Sequence, residues 1–256
     1  AKKALISAKE FIDLAAEHID TKDSPKTMWL KGEIYANFMI LGMQTMDTSF
    51  IKIGGEDALD QSIAAFAHGF TLGDKYTEDI QNSVNQKRIL INSFAGMVYK
   101  AEQYNEAAEL YNIQARYSGA INEFDSLAIN NAALCYEKSG DFLKAAEGYE
   151  RLSKANYRGS ISAVLASSAY RKAGEIEKAK AIISEARKDN PSDRDLLLEL
   201  VNTNIDAGDA AGAEAALAAA IATDPMNKQL HYTIGTIYID LQENEKAETA
   251  LNKALE

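Results

Sequence analysis

The second half of the chain repeats at an interval of 34 residues, and this period constrains the fold more than any other feature of the sequence. A glycine, an alanine and a bulky apolar or aromatic residue each recur at the same step. The recurring residues are Gly140, Gly174 and Gly208 with Gln242 in fourth place; Ala145, Ala179, Ala213 and Ala247; and Tyr149, Ile183, Leu217 and Leu251. A period of this length in a helix-forming sequence indicates helical hairpins that stack on one another.

Each repeat has the pattern of two amphipathic helices joined by a tight turn. Ile129 and Tyr136 lie at helical spacing, Gly140 interrupts the pattern, and Ala145 and Tyr149 resume it. Glycine suits the turn because it tolerates the positive φ that ends many helices. Small alanines allow the two backbones to approach closely, and the aromatic side chains fill the space between the helices.

This pattern resembles the tetratricopeptide repeat (TPR) family. The resemblance implies an all-α fold, a right-handed superhelix of antiparallel helix pairs. An earlier unit reaches the next with a step of 38 residues, so the connection Ser118–Asp125 is lengthened by four. The residues that carry the resemblance are Phe94, Ala95, Tyr104, Ala107 and Tyr111; Ala163, Ala166, Tyr170, Gly174, Ala179 and Pro191; Leu197, Val201, Gly208, Ala213, Leu217 and Pro225; and Ile234, Gly235, Tyr238, Ala247 and Leu251.

The sequence divides into two sections. Residues 88–256 form a regular array of about five repeats, and residues 1–87 form a degenerate TPR-like section with an insertion near 41–57. The insertion separates a first helix around Trp29 from its partner helix, and it fits either a functional segment or a plain surface loop. In total the pattern predicts about thirteen helices and no sheet.

Composition and charge exclude several classes of function. The net charge of −11 argues against nucleic acid, because phosphate binding requires a basic surface. No apolar run approaches the roughly 20 residues of a membrane-spanning helix, so we expect a chain that does not span a membrane. The single cysteine, Cys135, cannot form an intramolecular disulfide and lies in a helical core pattern, which predicts a buried thiol.

No catalytic pattern is visible in the sequence. The three histidines are isolated, and none has a second histidine or cysteine at metal-ligand spacing. There is no nucleophile elbow and no phosphate-binding glycine loop. We therefore expect no enzymatic activity, no cofactor and no metal. The histidines are His18, His68 and His231.

The resemblance implies that positions 2, 5, 9, 12 and 13 of each first helix face a binding groove. Position 13 is basic at Lys100, Lys138 and Lys172, and acidic at Asp206 and Asp240. This change of sign fits either a polar ligand or charges that only keep the array soluble. The pattern of a chaperone-tail clamp matches only at Asn131, so that activity is not expected. The candidate groove residues are Asn92, Lys100, Asn130, Lys138, Ser168, Lys172, Asn202, Asp206, Tyr232 and Asp240.

Together these features predict a non-catalytic scaffold that binds a protein or peptide in the groove. Two alternatives remain open: a lipoprotein-type envelope component of outer-membrane assembly or nutrient uptake, and a regulatory subunit of an enzyme complex. The apolar residues of the last helix, Leu251 and Leu255, predict that this helix contacts either another copy of the protein, which would be self-association, or a further segment of the protein.

A second resemblance bears on the compartment. Ala4–His18 and the phrases at residues 24–32 and 75–80 are similar to exported TPR proteins of Bacteroidetes. It implies the periplasm or cell envelope rather than the cytoplasm. No signal peptide is visible, and the first residue, Ala1, fits either a processed or a shortened protein.

Overall fold

A computed structural model describes residues 2–73, 75–240 and 242–256, and over these ranges it has fourteen helices and no strand. The all-α fold class is confirmed. The chain forms two compact units, one up to Ala128 and one from Ile129 onward. The helices are α1 (Lys2–Glu17), α2 (Pro25–Thr45), α3 (Ser49–Gly54), α4 (Ala58–Leu72), α5 (Thr77–Lys100), α6 (Tyr104–Ala120), α7 (Ser126–Ser139), α8 (Phe142–Lys154), α9 (Ser160–Lys172), α10 (Ile176–Asp189), α11 (Arg194–Asp206), α12 (Ala210–Thr223), α13 (Lys228–Asp240) and α14 (Asn244–Leu255).

The extra helix lies in the predicted insertion near 41–57. Helix α2 continues to Thr45, and the short helix α3 follows before α4 begins. Phe50 of α3 is buried, and a β-carbon at Gly54 would lie 2.7 Å from Phe38 of α2. The segment therefore packs against α2 and folds as a helix rather than as a surface loop.

Helices α2 and α4 form a packed pair in spite of the insertion. A β-carbon at Gly32 of α2 would come within 2.6 Å of the Phe66 ring of α4, so the pair needs glycine at this crossing. Trp29 of α2 stacks on Tyr76 with ring centroids 5.8 Å apart, and its Nε1 donates to Ser83 Oγ at 2.8 Å. The tryptophan therefore has a packing role.

Helix α5 begins at Thr77, whereas the repeat pattern predicted a helix from Arg88. Its added turns bury Ile80 and Val84 fully, and both belong to an apolar cluster with Phe66. The helix extends toward its N-terminus because its buried face continues there, with Ser83 and Lys87 as its polar members. The predicted boundary between residues 87 and 88 falls within α5, and the division into sections 1–87 and 88–256 stays a prediction; Ala1 lies outside the described residues.

The lengthened connection between α6 and α7 is held by the buried carboxylate of Asp125. It accepts hydrogen bonds from the backbone N–H of Ala128 at 2.9 Å, from Gln114 at 3.0 Å and from Ser118 at 3.1 Å. Arg88 of α5 adds an ion pair at 3.2 Å. Burial alone would raise the pKa of Asp125, but these hydrogen bonds and the nearby guanidinium together lower it below its ordinary value.

The second unit repeats one hairpin geometry. Gly140, Gly174 and Gly208 end the first helices with φ of 86°, 78° and 71°, as the sequence predicted. Gln242, in the fourth place, adopts a similar φ of 61° although it carries a side chain. The recurring alanines and the bulky residues four positions later lie in the core, and those fully buried are Ala145, Ala179, Ala213, Tyr149, Ile183 and Leu217.

Neighbouring hairpins of the second unit share their cores. Ile183 of α10 packs in one cluster with Ala163 of α9 and Leu196 of α11. Leu217 of α12 lies in another with residues of α11 and α13. Cys135 is 1% exposed, which confirms the buried thiol, and burial raises its pKa above the ordinary value.

Candidate functional site

The predicted groove residues of the second unit lie on the first helices of its hairpins, α7, α9, α11 and α13. Repeat position 1 is the first residue of each of these helices. We call the side that carries positions 2, 5, 6, 9, 12 and 13 of these four helices the groove surface. Asn130 and Ser168 are half-buried there, and the other candidates of this unit are exposed, namely Lys138, Lys172, Asn202, Asp206, Tyr232 and Asp240.

The remaining two candidates belong to the first unit. Asn92 and Lys100 are exposed residues of α5. The exposed apolar residue Ile89 lies on the same helix at position 2 of its repeat. The predicted set is therefore distributed over two units. Eight of its ten residues lie in the second unit, and the geometry of that unit is described below.

A cavity of about 280 Å³ opens on the groove surface between α9 and α11. Four of its seven lining residues are apolar, and three are polar residues of α11. We call it the α9–α11 cavity. Its lining residues are Ile161, Val164 and Leu165 of α9, and Asp195, Leu198, Glu199 and Asn202 of α11. Of the predicted candidates, only Asn202 lines this cavity.

Exposed apolar side chains are concentrated on the first helices. Among the described residues of the second unit, eight large apolar side chains are exposed, and five of them lie at positions 2, 5, 9 or 12 of a first helix. These five are Leu134, Ile161, Ile205, Tyr232 and Ile239. Of these, only Tyr232 was among the candidate residues. The groove surface is therefore more apolar than the predicted polar set suggested.

An ion-pair network, buried at Glu199 and exposed at Asp206, joins α9 and α11 beside the α9–α11 cavity. Arg171 Nε lies 2.8 Å from Glu199 Oε1, and Arg171 Nη1 lies 2.5 Å from Asp206 Oδ2. Ser167 also donates to Glu199 Oε1, at 2.9 Å. Burial acts to lower the pKa of Arg171, but the hydrogen bonds to the two carboxylates outweigh it and raise the pKa. The candidate residue Asp206 is thus bound within the chain.

A second ion pair joins α7 and α9. Lys172 Nζ lies 2.6 Å from Glu137 Oε1, and Glu137 Oε2 accepts a hydrogen bond from the Tyr149 hydroxyl at 3.2 Å. The sequence left open whether the charges of Lys172 and Asp206 serve a polar ligand or only solubility. Both are compensated by residues at position 12 of a neighbouring first helix. Among the described residues, Asp195 and Asp240 form no ion pair.

A larger cavity, of about 810 Å³, lies between the second helices α8 and α10. Tyr170 lines it, and its hydroxyl donates to Glu150 of α8. The pKa of Tyr170 is raised, mainly by burial and to a smaller extent by this hydrogen bond. The walls mix charges of both signs with the apolar Ile182, so they favour no single class of ligand.

The described residues contain no cluster of three or more histidine, cysteine or acidic side chains that could hold a metal ion. His231 is buried, and its Nε2 donates a hydrogen bond to the backbone oxygen of Pro225 at 2.7 Å, which gives the ring a structural role. None of the helices in the described ranges has the length and apolarity that crossing a membrane requires.

Comparison with known structures places the fold among repeat proteins. The crystal structure of the MamA protein matches with a TM-score of 0.54 and 15% sequence identity, over 67% of this chain and 91% of that one. MamA from Desulfovibrio magneticus RS-1 matches with a TM-score of 0.52 and 14% identity, over 66% of this chain and 93% of that one. At these identities the similarity concerns the fold.

A third structure is that of YrrB, described as a TPR protein with an unusual peptide-binding site. It matches with a TM-score of 0.50 and 18% identity, over 71% of this chain and 91% of that one. No curated protein matches the chain significantly in sequence.

The sequence profiles of one family match the second unit directly. Two tetratricopeptide repeat profiles match, one over residues 164–225 and the other over residues 204–256. These residues cover three of the four hairpins whose turns and cores recur at 34 residues. Residues 164–256 therefore consist of tetratricopeptide repeats.

Proposed function

We propose that the chain is a non-catalytic scaffold that binds a protein partner, or a peptide segment of one, on the groove surface of the second unit. The observation that carries this proposal is the concentration of exposed apolar side chains there, five of eight in the described part of the unit. Apolar side chains rimmed by polar ones are typical of surfaces that bind another protein.

The α9–α11 cavity supports a binding role for the same surface. It provides a concave apolar site on two packed helices, so a bound side chain would meet walls that are already formed. The rigidity of helical walls reduces the ordering that binding has to impose on the protein. The peptide-binding site named for YrrB supports this function by analogy of fold.

The location that we propose is the bacterial cell envelope. It rests on the similarity of residues 24–32 and 75–80 to exported TPR proteins of Bacteroidetes. Fractionation of cells of the source organism, with an antibody against the chain, tests this location.

Selection from a phage-displayed library of random dodecapeptides tests the binding function. We expect the full chain to enrich peptides that bind it in solution. The exposed apolar groove residues are the targets of substitution, because their replacement leaves the core intact. Ile161→Asp and Tyr232→Asp should each lower the affinity for an enriched peptide about tenfold or more, as the loss of an anchoring contact does.

Leu143→Asp is the matched control, since Leu143 is an exposed apolar residue of the second helix α8. It should leave affinity unchanged. Circular dichroism of each variant verifies that helical content is retained. A library that yields no binder, or binders that Leu143→Asp weakens as much as the groove variants do, would contradict the proposed function.

A further inference from the structure

The chemistry of the α9–α11 cavity narrows the class of partner. The apolar part of its lining consists of the side chains of Ile161, Val164, Leu165 and Leu198. Its volume of about 280 Å³ is roughly nine times the 30 Å³ that one water molecule occupies in the liquid. This space accommodates one aliphatic or aromatic side chain, and such a side chain would displace water from apolar walls.

The rim of the cavity on the α11 side is acidic and fixed in place. Asp193, the N-cap of α11, accepts a hydrogen bond from Ser160 of α9 at 2.6 Å. Its other carboxylate oxygen accepts from the backbone N–H of Asp195 at 3.0 Å and of Leu196 at 3.1 Å. These bonds hold the start of α11 against α9, so the backbone of Asp195 at the cavity is positioned before a ligand binds.

The charge that this rim offers to a ligand is negative. Glu199 also lines the cavity, but Arg171 and Ser167 bind its carboxylate. The carboxylate of Asp195, by contrast, forms no ion pair within the part of the chain that the structure describes, and the residue is exposed. Asp195 is therefore the group at this cavity that an incoming charge would meet first.

The cations at the end of α9 do not compensate Asp195. Arg171 is bound to Glu199 and Asp206, and Lys172 is bound to Glu137. An acidic ligand would have to compete with these internal carboxylates, whereas a basic ligand meets an unpaired one. Asp240, at position 13 of α13, adds a second carboxylate without an ion pair among the described residues of the groove surface.

We infer that the bound segment carries an apolar side chain that enters the α9–α11 cavity, and beside it a lysine or arginine that pairs with Asp195. This inference rests on the proposed function and specifies the class of segment recognised. The apolar side chain supplies most of the affinity, and the basic one selects orientation and partner.

The same dodecapeptide library tests this inference when selection is repeated on variants of the full chain. On the unmodified chain, enriched peptides should share an apolar residue with a lysine or arginine within four positions. On Asp195→Lys, the enriched charge should change to aspartate or glutamate. Peptides enriched on Asp195→Asn should share the apolar residue but show no preference for a charged residue beside it.

One peptide enriched on the unmodified chain then serves for titration. Its affinity should fall about tenfold on Asp195→Lys at low salt, since an exposed attraction becomes a repulsion, and the difference should shrink as salt is added. Glu248→Lys is the matched control, because Glu248 is an exposed carboxylate on α14 and the net charge changes equally. It should leave the affinity unchanged.

The outcomes separate this inference from the proposed function. Two outcomes overturn the inference and leave groove binding in place. In the first, Ile161→Asp lowers the affinity of the enriched peptides, but these peptides show no preference for lysine or arginine. In the second, the Asp195→Lys variant binds them as tightly as the unmodified chain does. Equal losses on Asp195→Lys and Glu248→Lys also overturn it, because the effect would then follow net charge alone. A library that yields no binder overturns both.

Discussion

Gly148 of α8 lies so close to Ala133 of α7 that a β-carbon at position 148 would come within 2.9 Å of the Ala133 methyl group. It would also lie 3.6 Å from the Ala133 Cα, so a side-chain rotation cannot relieve the contact. The helix pair reaches this distance because both positions carry the smallest side chains.

The first prediction follows from this contact. Gly148→Ala should lower the free energy of unfolding by about 1–3 kcal/mol, as overpacking does, although alanine is the better helix former. Gly96→Ala is the matched control, since a β-carbon at this helical glycine of α5 would meet no other side chain or helix within 4 Å. The free energy of unfolding of that variant should rise by about 0.5–1 kcal/mol. Chemical denaturation measures both, and a stabilised Gly148→Ala would contradict the close packing.

The second prediction concerns the Arg171 network. Arg171→Ala leaves the buried carboxylate of Glu199 without its cation, and we expect a loss of about 3–5 kcal/mol. The double variant Arg171→Met with Glu199→Met removes both charges and should recover most of that loss. Thermal or urea unfolding compares the two. If the double variant has a free energy of unfolding as low as that of Arg171→Ala, an unpaired carboxylate is not the cause of the loss, which contradicts this prediction.

The third prediction concerns the pH dependence of the first unit. The pKa of Asp125 is lowered in the folded chain, so its contribution to stability is present above its ordinary value of 3.8 and is lost as the pH falls toward its folded value. Urea denaturation should show Asp125→Asn clearly less stable than the unmodified chain at neutral pH. The difference should narrow in acid.

Glu123→Gln is the control for that titration. Glu123 also pairs with Arg88, at 2.6 Å, but its side chain is 49% exposed. We expect a small effect at either pH, because exposed ion pairs contribute little. A constant difference between Asp125→Asn and the unmodified chain from neutral to acid pH would refute the electrostatic role of Asp125.

The fourth prediction concerns Tyr170, which is 2% exposed. Tyr170→Ala should cost about 3–5 kcal/mol, as the loss of a buried aromatic side chain does, and should loosen the neighbouring hairpins. Tyr170→Phe retains the ring and loses only the hydrogen bond to Glu150, so we expect about 1 kcal/mol. Hydrogen exchange of α8 and α10 reports the loosening. If Tyr170→Ala lowers the free energy of unfolding by well under about 1 kcal/mol, Tyr170 is not a core residue.

The repeat period predicted those parts of the fold that depend on local sequence. The turns at Gly140, Gly174 and Gly208 and the crossings at the recurring alanines follow from one pattern, because each hairpin meets the same neighbours. The first unit lacks that period. The extra turns of α5 and the helix α3 depend on contacts with Phe66 and Phe38, and these contacts join distant parts of the sequence.

The candidate site was predicted less completely than the fold. Reading position 13 alone gave charges, but Lys172 and Asp206 are compensated by Glu137 and Arg171 at position 12. Positions 2 and 12 also carry the exposed isoleucines of the groove surface. Reading all of these positions together would have indicated both the ion pairs and the apolar surface. The α9–α11 cavity, by contrast, depends on how two helices pack and has no signal in one sequence.

The way the hairpins of the second unit share cores has a consequence for how this unit folds. The packed pairs from α8 to α14 join helices that are one or two steps apart in the chain, such as α9 with α11 and α12 with α13. No distant loop has to close before a contact forms, and domains of this kind reach the native state in microseconds to milliseconds. A nascent chain can therefore bury each hairpin against the one synthesised before it, so assembly can keep pace with translation.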